Sequence, residues 1–544
     1  MKKIISISII LISIQLNSQN YGYLTGNNQF NYQTFHEDIA IGADARPSFS
    51  SGYTNLVYTY NQFTLGTRLE IYNNTIPGIE QYEGYGIANK FFQFKNNFAD
   101  ITIGNFYDEF GSGLIFRTYF DPNLGIDNAI NGLRVKINPI DGVYVTSLIG
   151  KQRSYWEYTD GLIKAVNADI SLNSLFLESW KSYINLGFSF VTKHETDNDP
   201  LYILPENVGA LNGRMNITKG NTSINVDYAY KINDPSSDNN YIYQNGNGVI
   251  VTANYSKKGI GCSIGVKRIQ NMSFRSERNA ILQDLNINYI TPFTKQQAYS
   301  LATIYPYSSQ PNGEMGAQID LYYMIPKKSK IGGKYGTYIN MNFSNVFSIN
   351  QSISYDANIL NESGTIGYTS NIFKLGEDKL FQEFNLEISK KINRNLKFIT
   401  TYINVINNDK LLKSQAVLEN QNHEIIKADI FIVESIIKLP SIKSMRNSMK
   451  IELQHLETKQ HFGNWTMGLI EYKISKLFLS IQDLYNYGHP DKPHYYSTSI
   501  GYNNGGHRIA LTYGKQRAGL FCVGGVCREV PASNGFLISL TSSF

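Results

Sequence analysis

The sequence predicts an all-β protein, a large closed antiparallel transmembrane β-barrel. Three observations carry that expectation. The N-terminus has the layout of a secretory signal, the remaining chain has no apolar run long enough to be a membrane helix, and the last strand alternates up to a terminal aromatic, Phe544.

Lys2 and Lys3 precede an apolar run from Ile4 to Ile14 and a polar stretch from Gln15 to Asn20. A basic start, a short apolar core and a small residue before the cut make an export signal too short to span a bilayer. With Ser18 before the cut, residues 1–18 are expected to be removed and 19–544 to form one domain, since no linker or composition shift divides it. No Cys lies near the cut to carry a lipid.

The chain has 39 Tyr and 29 Phe against 3 Trp, 44 Gly and only 17% charged residues, with Asn- and Gly-rich turns between short alternating runs. That is strand composition. A net charge of +5 on 544 residues is too diffuse to recruit nucleic acid, and export argues against it independently.

Period two is clearest in three places. Leu133, Val135 and Ile137 alternate with Arg134, Lys136 and Asn138, so the charged face must turn from lipid. Val249, Val251, Ala253 and Tyr255 turn at Lys257-Lys258-Gly259 into Ile260, Cys262, Ile264 and Val266. In the last strand Phe536, Ile538, Leu540 and Phe544 share a face, the expected signal to the barrel-assembly machinery. That machinery and outer-membrane lipid and lipopolysaccharide are the expected partners, and the cell outer membrane the expected location. At roughly 20 residues per strand with its loop, an even count near about 26 is expected, with short periplasmic turns and longer extracellular loops.

Enzyme signatures do not survive inspection. Gly261-Cys262-Ser263-Ile264-Gly265 matches a nucleophile elbow in letters but lies inside an alternating strand, without the strand-to-helix turn that exposes such a serine. His423-Glu424-Ile425-Ile426-Lys427 lacks the second histidine of a zinc-binding helix. No catalytic residue, metal site or cofactor is expected. Cys522 and Cys527 flank Val523-Gly524-Gly525-Val526, a spacing that a hairpin disulfide can close, bracing an outer loop over 515–534.

Residues 104–128 break the alternation with glycines, acids and aromatics, as a loop folded into a lumen does. Asp108, Glu109, Asp121 and Asp127 are expected to face Arg117, Arg134, Lys136 and Arg153 across a constriction or plug. Gly150-Lys151-Gln152-Arg153 and Gly514-Lys515-Gln516-Arg517 each close a strand at the expected outer rim.

The runs FGSGLIFR and LGIDNAINGLRVK between Gly104 and Arg153, and the ending GKQRAGLFCVGGVCREVPASNGF, resemble an uncharacterised family of Bacteroidota outer-membrane proteins. The resemblance implies a barrel without a settled activity, in bacteria that run a dedicated outer-membrane secretion system, and it brings no catalytic residues. Three functional readings follow. The favoured one is a porin-like channel for small solutes, with Arg134, Lys136 and Lys267 facing the lumen, because a barrel this wide encloses water unless something fills it. The second is a plugged, non-conducting accessory or partner of secretion-system or surface proteins. The third is a surface adhesin.

Overall fold

The computed structural model describes residues 22–176, 179–280, 283–409, 424–523 and 526–544. The export signal expected over 1–18, and His423, lie outside them. The described residues form 24 antiparallel strands in one sheet. The first strand, Tyr23–Phe35, pairs with Arg46–Tyr60 on one edge and with the last, Ser533–Ser543, on the other. The sheet therefore closes on itself and leaves no barrel edge unpaired.

The expectation of about 26 strands is corrected to 24. Segments 107–129, 271–312 and 350–374 contribute no strand to the barrel, so the chain uses more residues per strand than a uniform share assumes. No helix among the described residues is long and apolar enough to cross a membrane.

Side chains alternate as a closed barrel requires. Leu133, Ile149, Val166, Phe188, Leu211 and Ile264 point outward and are exposed, whereas Leu148, Ile163, Ala165, Val191 and Ala210 on the same or neighbouring strands point inward and are buried. Cys262 lies on the outward face with Ile260 and Ile264, and Ser263 turns inward, where its hydroxyl donates to Asn254 Oδ1 at 2.7 Å.

The two ends differ. Connections 61–62, 141–142, 220–221, 258–259 and 505–506 are tight turns at one end, while 107–129, 232–245, 271–312 and 350–374 cross at the other. Described residues at both chain ends, Tyr23 and Phe544, sit at the tight-turn end. There the Phe544 amide donates to Gly26 O at 3.0 Å and the Gly26 amide to Phe544 O at 2.9 Å. A Cβ on Gly26 would lie 2.6 Å from Phe544 Cζ, so only glycine lets the terminal ring lie against the first strand.

Candidate functional site

The inner wall of this barrel is largely covered by its own chain. Phe110, Leu114, Ile115 and Phe116 from the first irregular segment are at most 2% exposed. With Met272, Phe274, Ile287, Ile290 and Phe293 from 271–312, they form one apolar cluster that includes the inward residues Ile163, Val191, Val208, Ala229, Ile250 and Ile269. The later part of the same segment, Leu301, Ala302, Ile304, Tyr305 and Tyr307, packs on another part of the wall, against Val346, Phe381, Ile403, Val405, Ile430 and Trp465. One segment thus joins two apolar clusters on different groups of strands, and crosses the lumen to do so.

The two segments hold each other. The Arg117 amide donates to Ile287 O at 2.8 Å and the Tyr289 amide to Gly113 O at 2.9 Å. Asn288 Nδ2 donates to Leu114 O at 3.1 Å, and the Arg117 guanidinium lies 4.0 Å from the centre of the Tyr289 ring. Backbone groups that water would otherwise have to satisfy are thereby paired inside the barrel.

Polar clamps fasten this unit to the wall. Arg68 and Glu70, both inward on Phe63–Asn73, and Arg153 on Val143–Ser154 surround Asp127 of the first segment. Arg153 bonds both Glu70 carboxylate oxygens, at 3.1 and 2.8 Å, Arg68 Nε bonds Glu70 at 2.6 Å, and both arginines bond Asp127. Tyr107 Oη donates to Asp127 Oδ1 at 2.7 Å. Two cations and two anions, each no more than 6% exposed, cancel in formal charge. Pairing of this kind is what permits charges to leave water.

The other residues expected at a constriction are placed as follows. Asp108 accepts from Lys136 at 2.7 Å and lies 3.5 Å from Arg134, which also donates to Tyr107 O at 3.0 Å. Glu109 and Arg117 face each other at 3.8 Å and stay partly exposed. Asp121 is not in a charge cluster: it accepts from the amides of Asn123 and Leu124 and shapes its own turn. Lys267 is buried against Glu314 at 2.5 Å and donates to Thr291 O at 2.8 Å.

The tip of the first segment also depends on glycine. Gly111 has φ +59°, and a Cβ there would lie 2.1 Å from Arg214 Cδ. Next to it, Ser112 Oγ donates to the inward Asp227 at 2.6 Å. On the tight-turn side of this tip lies a cavity of about 400 Å³ lined by Asp169, Asn185, Arg214, Asn225, Thr252 and Phe293.

Sequence reasoning found the first lumen segment and overlooked the second. The available signal was that Pro292, Pro306 and Pro311 fall within a stretch lacking period two, which excludes a central barrel strand. Arg68 and Glu70 were overlooked although they alternate with Leu69 and Ile71, a charged inward face of the kind recognised at Arg134 and Lys136. The Gly150–Arg153 recurrence ends at the long-loop end of its strand. There Gln152 donates to Asn286 O at 2.8 Å and accepts from Ser276 Oγ at 2.6 Å. Its counterpart places Lys515 2.5 Å from Asp38. Cys522 stands directly opposite Cys527 on the paired strands Gly519–Val523 and Val526–Val530.

A family of unknown function, DUF6029, matches residues 1–544. The chain belongs to that family. This DUF6029 member is also similar to solved barrels, each at low identity. The P pilus usher PapC translocation pore shares 8% identity at a TM-score of 0.47, covering 96% of this chain and 99% of that one. The siderophore receptor PirA from Pseudomonas aeruginosa shares 10% identity at 0.37, covering 97% and 81%. A BenF-like porin from Pseudomonas fluorescens Pf-5 shares 8% at 0.32, covering 85% and 98%. The comparison with curated proteins found no match for the DUF6029 chain.

Proposed function

We propose that this protein is an outer-membrane barrel whose lumen is closed by its own plug, and that it acts by binding at its outer face instead of passing small solutes by diffusion. The single observation that carries the reading is the packing of Leu114, Ile115 and Phe116, 0–1% exposed, against the inner wall. Side chains of an open lumen would be wetted. The outward apolar faces and the difference between the two ends support the membrane setting, with the tight turns periplasmic and the long segments outside. Exposed apolar residues on the long-segment end, Leu201, Ile203, Tyr355 and Phe373, 82–90% exposed, support a surface that meets another macromolecule.

Planar-bilayer recording tests the closure. Wild type is expected to be electrically silent, and a variant with 108–125 and 288–307 each replaced by a short Gly-Ser linker is expected to conduct steadily. Steady ohmic conductance in wild type would overturn the plugged reading and restore a diffusion pore.

We also propose that Cys522 and Cys527 form the disulfide that braces the outer hairpin, because their register sets them face to face. Peptide mapping under non-reducing conditions is expected to recover them as one linked species, with Cys262 as a free thiol. Alkylation of all three cysteines without prior reduction would refute the bridge.

A further inference from the structure

A second cavity lies at the long-loop end, on the outer side of the plug. It encloses about 340 Å³ and is bounded by four separate parts of the chain: the 39–42 loop, the plug residues Ile304 and Pro306, the region 461–495, and Arg517 to Gly519. That size suits a small ligand.

Its lining holds a buried donor without a partner among the described residues and a guanidinium without a counter-charge there. Trp465 is 3% exposed, and its Nε1 has no hydrogen-bond partner among the described residues. Tyr305, next in sequence to the lining residue Ile304 and itself outside the lining, is buried, and its hydroxyl has no partner among the described residues. Among the described residues Arg517 reaches two carbonyls, Ala518 O at 3.3 Å and Thr303 O at 3.5 Å, and no carboxylate pairs with it. Burial without a counter-charge disfavours its cationic form. A buried donor left without an acceptor costs free energy that a bound acceptor would recover.

Two of the acids nearby are engaged: Glu424 accepts from the His461 amide at 2.5 Å and Asp38 from Lys515 at 2.5 Å. The third, Asp491, turns its side chain largely to solvent, and its amide donates to His489 Nδ1 at 3.1 Å. The rest of the lining combines Asn486, His461 and His489 with an apolar and aromatic part, Ile39, Ile41, Phe462 and Pro306, and Tyr495 is stacked on Trp465 at 5.9 Å between ring centres.

We propose that this groove is a binding site for a small organic monocarboxylate with an aromatic or apolar body, its carboxylate on Arg517 and its body against Phe462, Ile39 and Pro306. The site rests on the reading of a plugged barrel that binds at its outer face, since Ile304 and Pro306 of the plug form part of its wall, and its test is read without any current. Trp465 supplies the signal, because it is one of three tryptophans and lines the groove, so a Trp465→Phe variant isolates its contribution.

The experiment titrates full-length barrel in detergent with 3-phenylpropionate and with its neutral amide, following tryptophan fluorescence. Folding of each variant is checked by its heat-modifiable migration on gels. The acid is expected to give a saturable change that is absent in Trp465→Phe, and the amide to bind at least tenfold more weakly. Arg517→Gln is expected to weaken the acid roughly tenfold or more, the scale of one hydrogen bond to a charged group. Equal affinity for acid and amide, an unchanged affinity in folded Arg517→Gln, or no saturable response at millimolar acid would each overturn the proposal.

Discussion

Asp127→Ala is expected to loosen the plug by about 3–5 kcal/mol and to turn a silent barrel into one with fluctuating conductance. In wild type, Asp127 and Glu70 together balance Arg68 and Arg153, and all four side chains are at most 4% exposed. Removing one carboxylate leaves two buried guanidinium groups on a single acid, and neither can shed its proton to escape. The nearest relief is for the 107–129 segment to leave the wall and admit water. Asp121→Ala is the matched control, since that residue caps a partly exposed turn through the Asn123 and Leu124 amides. It is expected to cost roughly 0.5–1.5 kcal/mol and to leave the barrel silent. Urea midpoints and bilayer traces of both variants decide the matter. An Asp127→Ala barrel as stable and as quiet as wild type would show that the clamp does not hold the plug.

Lys267→Met is expected to cost a similar amount, about 3–5 kcal/mol, by the opposite route. Glu314 is 0% exposed and is held by Lys267, by the Tyr307 hydroxyl and by the Gln310 amide at 3.0 Å. Without Lys267 its carboxylate keeps two neutral donors and no cation, and Thr291 O loses its donor as well. The informative variant is the double one. Lys267→Met with Glu314→Gln removes the charge on both sides while keeping an acceptor for Tyr307 or Gln310, and it should recover more than half of the loss. If the double variant is as unstable as the single one, the cost comes from lost packing or the Thr291 contact and not from a stranded charge. Urea midpoints measure both, provided the slope of the transition is unchanged.

These two clamps differ in how far they could be read beforehand. Asp127 and Arg153 drew notice as an acid in an irregular loop and a base at a strand end. Their meeting depends on how segment 107–129 turns back into the barrel, which no spacing in sequence encodes. Arg68 and Glu70 are separated from Asp127 by more than fifty residues and share the strand Phe63–Asn73, two places along the sheet from the strand that leads into that segment. Lys267 was legible as an inward charge from alternation, yet its partner Glu314 is reached only across 271–312, a segment whose irregularity hides its role. The groove around Arg517 was not legible at all, because it assembles residues from four separate parts of the chain.

Alternation along each strand follows from a local rule. Successive side chains point to opposite faces, so the apolar outward set and the polar inward set can be read residue by residue, as can the tight turns at Asn and Gly positions. The sequence by itself therefore determined an all-β barrel, the outward and inward faces of Leu133 to Asn138 and Val249 to Val266, and the irregular stretch expected from Gly104, which the structure begins at Tyr107 because Gly104 to Phe106 still pair in the strand Ala99–Phe106. Only the tertiary structure decided that the barrel has 24 strands and that two segments, not one, enter the lumen. The physical reason is that closing the sheet encloses a lumen in which residues far apart in sequence can meet. Whether an irregular segment goes outward to water or inward to the wall then depends on the sum of many contacts, apolar and charged, that exist only once the barrel has closed.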